Sequence, residues 1–117
     1  MPHYVYVLEA DESYKIGVSA DIGKRIKQLQ TGNSNKIQLY GYITIADRTE
    51  ALRVEKLLHR KLESDRLSGE WFGCYIGKIV QEIILELGPN VFNFVPPKDY
   101  YYLGSGGIIP TLYKVHL

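Results

Sequence analysis

A chain of 117 residues has the usual size of one domain, and 45% apolar with 23% charged residues is typical of a globular protein, not of a disordered or fibrous one. No apolar run reaches the roughly 18 residues of a membrane span, and the N-terminus lacks a signal-peptide pattern, so we expect a cytoplasmic protein without membrane contact. The single Cys74 excludes an intramolecular disulfide and a cysteine-rich metal site, while a net charge of +1 by itself argues against nucleic-acid binding.

The N-terminal third of the chain predicts a β-hairpin followed by a helix. Residues 4–8 and 14–18 are rich in aromatic and β-branched side chains and flank a turn-like Asp-Glu-Ser segment, so they form two paired strands. Ser19 or Asp21 can cap the helix, in which apolar residues recur with helical spacing. A polar Gly-Asn-Ser-Asn segment over residues 32–35 ends it.

A third strand and two further helices follow. In residues 37–45 aliphatic residues and a glycine alternate with polar residues and tyrosines, which predicts a strand with one buried face. Asp47 and Glu50 have the spacing of a capping box and begin a helix that runs to about residue 63. Another amphipathic helix is expected over residues 76–87, before a Gly-Pro stop. The strand face expected to be buried comprises Ile37, Leu39, Gly41, Ile43 and Ile45.

These elements predict an α/β (α+β) protein with a small central, mainly antiparallel three-stranded sheet flanked by helices. We expect residues 1–88 to form this domain. Residues 89–117 differ in composition, with a Pro-Pro pair, the run Tyr100–Tyr102 and three glycines. We expect them to form an irregular extension, with short strands at most, that packs on the domain or mediates contacts with DNA or a second subunit.

Basic residues are concentrated in the middle of the chain. From Lys15 to Arg66 there are eleven Lys or Arg against six Asp or Glu, whereas the rest of the chain is net negative. Such a local excess can steer a polyanion toward one face of a protein. Ordinary solvated helix faces account for the same pattern, so both interpretations stay open.

Two charged residues are predicted to lie on or beside buried helix faces. Glu55 follows Ala51 by one helical turn, and Arg25 lies between Ile22 and Leu29. A buried charge without a partner is costly or shifts its pKa, so Glu55 requires a basic residue or a metal ion, and Arg25 requires an anion. The alternatives for Glu55 are contact with solvent at the edge of the apolar face of its helix, or an ion pair with Arg25.

Lys15 and Gly17 share one face of the second strand, opposite to Tyr14 and Ile16. A glycine beside a lysine leaves room for a bulky ligand. It can equally mark a β-bulge or close packing.

The order of these residues resembles the GIY-YIG nuclease superfamily. Tyr4-Val5-Tyr6 precedes Tyr14-Lys15-Ile16-Gly17, Arg25 follows that glycine by eight residues, and Glu55 lies on the second predicted helix. A Lys-Ile-Gly second motif and the box Gly69-Glu70-Trp71-Phe72 are similar to the phage and bacterial subgroup.

The resemblance covers residues 3–72. The chain departs from the family pattern at two positions, because Tyr4 replaces the glycine of the first motif and Lys15 replaces the first tyrosine of the second. The replacement by Lys15 lies in the active site of the family pattern, so it affects how a proton is transferred there.

The resemblance implies a metal-dependent endonuclease that hydrolyses phosphodiester bonds of DNA through a single divalent ion, Mg²⁺ or Mn²⁺. Glu55 would be the metal ligand, Tyr6 the general base for the attacking water, and Arg25 the residue that binds the non-bridging phosphate oxygens. Lys15 would supply the positive charge that favours the Tyr6 phenolate, and would contact the phosphate.

Other residues have weaker assignments. His59, one turn after Glu55, would orient it, bind phosphate or assist protonation, and a structural histidine is the alternative. For Trp71 and Phe72, the aromatic residues of the box, core packing is the main interpretation and base stacking is the alternative. The remaining candidates for nucleic-acid contact are Tyr14, Lys24, Lys27 and Trp71.

Three functional hypotheses stay open at this point: an active endonuclease, a nucleic-acid-binding module inactivated by Lys15, and a structural domain that self-associates. The substrate would be duplex DNA, branched DNA or RNA. The chain has no helix-turn-helix, zinc-finger spacing or basic tail, so sequence specificity would come from the extension, a homodimer or a partner protein.

Overall fold

The computed structural model describes residues 1–95. Within them it shows a mixed α+β domain with three helices and an antiparallel sheet, which confirms the expected class. The expectations for the extension beyond Val95, including the tyrosine run at 100–102, lie outside the described residues. In chain order the elements are β1 (His3–Ala10), β2 (Ser13–Ser19), α1 (Ile22–Thr31), β3 (Gln38–Ile45), α2 (Arg48–Lys61), a 3-10 turn (Glu63–Asp65), β4 (Arg66–Ser68), β5 (Trp71–Phe72), α3 (Ile76–Leu87) and β6 (Asn93–Phe94).

The sheet formed by residues 1–95 has six strands, so the expectation of three was wrong. Its order is β4-β5-β2-β1-β3-β6, and every neighbouring pair is antiparallel. The three additional strands are only two or three residues long. So short a segment shows no alternation in the sequence, and it becomes a strand only where tertiary structure presents a partner.

Helices cover both faces of the sheet and create two cores. Val5, Val7 and Ile16 pack with the apolar residues of α2 and α3 on one face. Tyr6 and Leu8, the alternate residues of β1, pack with the apolar residues of α1 on the other. The period of two along β1 therefore supplies both cores at once.

A β-bulge interrupts β3 and corrects the expected alternation of that strand. Val7 pairs with Gly41 and Leu8 with Leu39, which leaves Tyr40 without a partner on β1. The extra residue exchanges the two faces of the strand at this point. Leu39 consequently belongs to the core under α1, whereas Ile43 belongs to the core under α2 and α3.

The helix ends follow the capping signals of the sequence. The Asp21 carboxylate accepts a hydrogen bond from the Lys24 amide at 3.0 Å, and Asp47 accepts one from the Glu50 amide at 2.8 Å. Only this half of the predicted capping box forms, because the Glu50 carboxylate binds Arg53 instead. α3 has the predicted bounds. None of the helices in the described part of the chain is long and apolar enough to cross a membrane.

Candidate functional site

A cavity of about 250 Å³ brings together three residues that the sequence singled out. Tyr6 comes from β1, Arg25 from α1 and Glu55 from α2, so strand and helices from both sides of the sheet contribute to its walls. The full lining comprises His3, Tyr6, Val18, Ser19, Ala20, Arg25, Arg48, Leu52, Glu55 and Glu70.

Glu55 is a buried carboxyl group that forms no ion pair with any of the residues the structure describes. The helical spacing that buries Ala51 and Leu58 also turns Glu55 inward, and only 8% of its surface is exposed. It forms no ion pair within residues 1–95, so neither solvent contact nor a pair with Arg25 accounts for it. Burial raises the pKa of Glu55 to about 7, and the charge and hydrogen bond of Glu70 add to this rise against the weaker effect of Lys15.

Glu70 is a site residue that the sequence reasoning missed. The Ile16 amide donates to the Glu70 carbonyl at 3.2 Å, and Trp71 pairs with Lys15 on β2, so Glu70 is held beside that strand. Its carboxylate Oε1 lies 2.9 Å from Nζ of Lys15, whose side chain is 10% exposed. A buried lysine on a strand requires an acidic partner, and this requirement was the available signal.

The Tyr6 phenol interacts with Arg25, and Lys15 does not serve it as expected. Burial raises the pKa of Tyr6, while a hydrogen bond and positive charge from Arg25 oppose that rise, and the charges of Glu70 and Glu55 increase it. Lys15 instead forms its ion pair with Glu70. The predicted stabilisation of a Tyr6 phenolate by Lys15 is therefore not found, and Tyr6 is a protonated phenol at neutral pH.

Gly17 is required by close packing and does not make room for a ligand. It is the partner of Tyr6 across the β1–β2 pair, and a Cβ at this position would lie 2.4 Å from the Tyr6 hydroxyl oxygen and 2.6 Å from Cζ. Tyr6 is 1% exposed, so its ring cannot move aside freely. Of the two alternatives for this glycine, close packing is the one the structure contains.

Gly17→Ala is expected to destabilise the protein by about 1–3 kcal/mol, since the new methyl group overpacks the core around Tyr6. Chemical denaturation of the variant and the wild type measures the difference. Gly32→Ala is the matched control, because nothing lies within 4 Å of a Cβ there. Equal stability of the Gly17 variant and the wild type would contradict the packing assigned to Tyr6.

His59 has the contacts of a structural histidine. Its Nε2 lies 2.8 Å from the Ile16 carbonyl oxygen and must donate to it, because a carbonyl only accepts. Its ring also packs on Phe72 with the centroids 5.1 Å apart. These contacts attach α2 to β2 and to β5, one turn after Glu55, and His59 does not line the cavity.

The candidates for nucleic-acid contact differ in accessibility. Lys24 and Lys27 are exposed on α1, and Trp71 is half-buried with Nζ of Lys15 5.8 Å from its ring. Tyr14 is buried in the core under α2 and α3, where its hydroxyl donates to the Glu9 carboxylate at 3.1 Å. This position leaves Tyr14 little side-chain surface for a nucleic acid, which corrects its assignment as a contact residue.

The carboxyl groups of the cavity fit a divalent cation that prefers oxygen ligands. Glu55 and Glu70 supply hard oxygen atoms, and a cation would displace the proton that Glu55, with its pKa raised to about 7, partly binds near neutrality. Residues 1–95 contain no group of three or more His, Cys, Asp or Glu suited to a metal ion. Two carboxylates with water in the remaining positions suit Mg²⁺, which keeps several of its waters.

Comparison with known protein families places the chain in a described family. The model of the T5orf172 domain family matches residues 3–87 of the chain. No curated protein and no solved structure matches it.

Proposed function

Because this chain belongs to the T5orf172 domain family, we propose that it is an endonuclease of the GIY-YIG type that hydrolyses DNA with one divalent ion, Mg²⁺ or Mn²⁺. The domain occurs in phage and bacterial nuclease-like proteins and is compatible with a nuclease or DNA-binding role. The observation that carries the proposal is the buried Glu55 carboxyl, which forms no ion pair within residues 1–95. It lies on the wall of a cavity that Tyr6 and Arg25 also line.

In this proposal the Glu55 carboxylate binds the ion, and the Glu70 carboxylate helps to bind it. The bound ion would polarise the scissile phosphate and stabilise negative charge on the leaving oxygen. Arg25, which has no carboxylate partner within residues 1–95, would donate to the non-bridging phosphate oxygens.

The Tyr6 phenolate, formed when the hydroxyl has lost its proton to solvent, would accept the proton of the attacking water. The water oxygen bonds to phosphorus, the bond from phosphorus to the 3′ oxygen breaks, and the water proton moves to the Tyr6 oxygen. The hydrogen bond from Arg25 favours the phenolate form of Tyr6 and opposes the effect of burial. In this scheme Lys15 acts as a positioning residue that neutralises and orients Glu70 beside Glu55.

A cleavage assay with the full chain tests the proposal. Duplex DNA, branched DNA and RNA are each incubated with Mg²⁺, with Mn²⁺ or with a chelator, and we expect DNA to be cut only when a metal is present. Binding without cleavage under every metal condition would favour the inactive binding module. Cleavage that persists in the chelator would exclude the metal-dependent mechanism.

A further inference from the structure

A second arginine, Arg48, lines the cavity and has no acidic partner in the described part of the chain. Arg53 and Arg66 lie 2.6 Å and 3.1 Å from the carboxylates of Glu50 and Glu63, so their charges are compensated locally. Arg25 and Arg48 form no ion pair within residues 1–95, and both line the same cavity. Arg60 is also exposed and forms no ion pair within residues 1–95, but it does not line the cavity, so Arg25 and Arg48 are the arginines of the cavity that lack a carboxylate partner there.

The fold brings Arg48 to the cavity from a different side than Arg25. Arg25 lies on α1, which covers one face of the sheet, and Arg48 begins α2, which covers the other. His3 at the start of β1 pairs with Ile45 at the end of β3, and α2 begins three residues later. This connection places Arg48 beside the start of β1, and His3 also lines the cavity there.

The charges of the cavity leave Arg48 available to bind a phosphate. The Glu70 carboxylate and the ionised form of Glu55 repel a polyanion that approaches. Lys15 forms an ion pair with Glu70, and its weaker effect on Glu55 does not offset the rise in that group's pKa. The Arg25 guanidinium interacts with the Tyr6 hydroxyl, whose pKa it lowers, and its Nη1 donates to Oε1 of Gln28 at 3.4 Å. Arg48 is exposed, and its fork of donors is free to form a bidentate contact with a phosphate.

We propose that Arg48 forms a second phosphate-binding site, which takes a phosphodiester group of the DNA adjacent to the one bound at Arg25. The site rests on the proposed function, since it presupposes DNA in the cavity. Its role is to position the strand across the two carboxyl groups, and it takes no part in the proton transfer.

The test measures binding apart from catalysis. Fluorescence anisotropy with a short labelled duplex in chelator, repeated from about 50 to about 200 mM salt, gives the affinity and its salt dependence. Arg48→Ala should weaken binding about tenfold at low salt, as expected for loss of one charged hydrogen-bonding contact. It should also reduce the slope of log affinity against log salt by about 0.9, the value for one lost phosphate contact.

Two control variants isolate the effect. Arg53→Ala removes an exposed arginine from the same helix, but one that is bound to Glu50 and does not line the cavity, so its affinity and salt slope should equal those of the wild type. Arg48→Lys keeps one positive charge and should restore the slope but only part of the affinity, because lysine lacks the bidentate fork.

The outcomes separate this site from the proposed function. If Arg48→Ala binds like the wild type while Arg25→Ala loses affinity, the second site is wrong and the proposed endonuclease stands. If the wild type neither binds nor cuts DNA under any of these conditions, both proposals fail. A circular-dichroism melt of each variant establishes that a loss of affinity does not come from unfolding.

Discussion

Glu55→Gln is expected to abolish metal-dependent cleavage and to stabilise the protein above neutral pH. Removing the charged ligand removes the charge stabilisation that the ion supplies at the phosphate, which is worth several kcal/mol, so the rate should fall by at least about 10³. Glutamine keeps the shape of the side chain, and its amide can donate to the Glu70 carboxylate. The loss of activity should therefore occur in a folded protein.

The gain in stability follows from the raised pKa of Glu55. Its carboxyl titrates at about 7 in the folded protein and near its ordinary value of 4.5 when unfolded. Between these values the folded state binds more protons than the unfolded state, so the free energy of unfolding falls as pH rises from about 4.5 to 7. A neutral glutamine does not incur this loss, which we expect to be about 3 kcal/mol.

Thermal unfolding in chelator at about pH 5, below the folded pKa of Glu55, and at about pH 8, above it, measures this effect. The Glu55→Gln variant and the wild type should be similar at the lower pH, and the variant more stable at the higher. Mg²⁺ should raise the melting temperature of the wild type at the higher pH and leave the variant unchanged. Greater stability of the wild-type carboxylate, or retained cleavage by the variant, would contradict the role given to Glu55.

Glu50→Gln provides a control of opposite sign on the same helix. The hydrogen bond from Arg53 lowers the pKa of Glu50, so its carboxylate contributes stability above its unfolded pKa, and that stability is lost as pH falls. Glu50→Gln should therefore slightly destabilise the protein at neutral pH. Its cleavage rate should stay at the wild-type level, because Glu50 does not line the cavity.

Tyr6→Phe should lower the cleavage rate by about 10² to 10⁴, the usual contribution of a general base. Phenylalanine preserves the ring that packs against Gly17, so the variant should keep its fold. Because burial raises the pKa of Tyr6 above 10, the phenolate is a minor species near neutrality. The wild-type rate should then rise about tenfold per pH unit between about pH 8 and about 9.5, a range in which Glu55 is already ionised.

Single-turnover cleavage across that pH range tests the role of Tyr6. The Tyr6→Phe variant should lose the pH dependence together with the rate. Tyr4→Phe is the matched control, since Tyr4 lies on the same face of β1, packs on Tyr42 and does not line the cavity. A Tyr6→Phe profile that follows the wild type would mean that another group accepts the proton.

Local interactions explain which features were predictable from the sequence. Asp21 and Asp47 cap helices through amides three residues away, and α3 ends at the predicted stop formed by Gly88 and Pro89. These signals depend on contacts within one or two helical turns, so they can be read directly from neighbouring residues. The inward positions of Arg25 and Glu55 follow from the same periodicity, and the family resemblance added Tyr6.

Tertiary structure alone decided which residues meet. The ion pair of Lys15 with Glu70 exists because β5 pairs with β2, and β5 is two residues long and carries no strand signal of its own. Arg48 reaches the cavity because β3 ends beside the start of β1. Both depend on strand pairing between distant parts of the chain, whose stability comes from the whole sheet and its two cores.

The sequence by itself thus determined the helices, the hairpin, the fold class and the inward direction of Glu55. The tertiary structure decided the six-stranded sheet, the bulge at Tyr40 and the partner of Lys15. It also decided the electrostatic state of Glu55 and Tyr6, because desolvation and the field of nearby charges depend on everything that surrounds a group in space. Desolvation and the local electric field therefore cannot be obtained from the residues that neighbour Glu55 or Tyr6 along the chain.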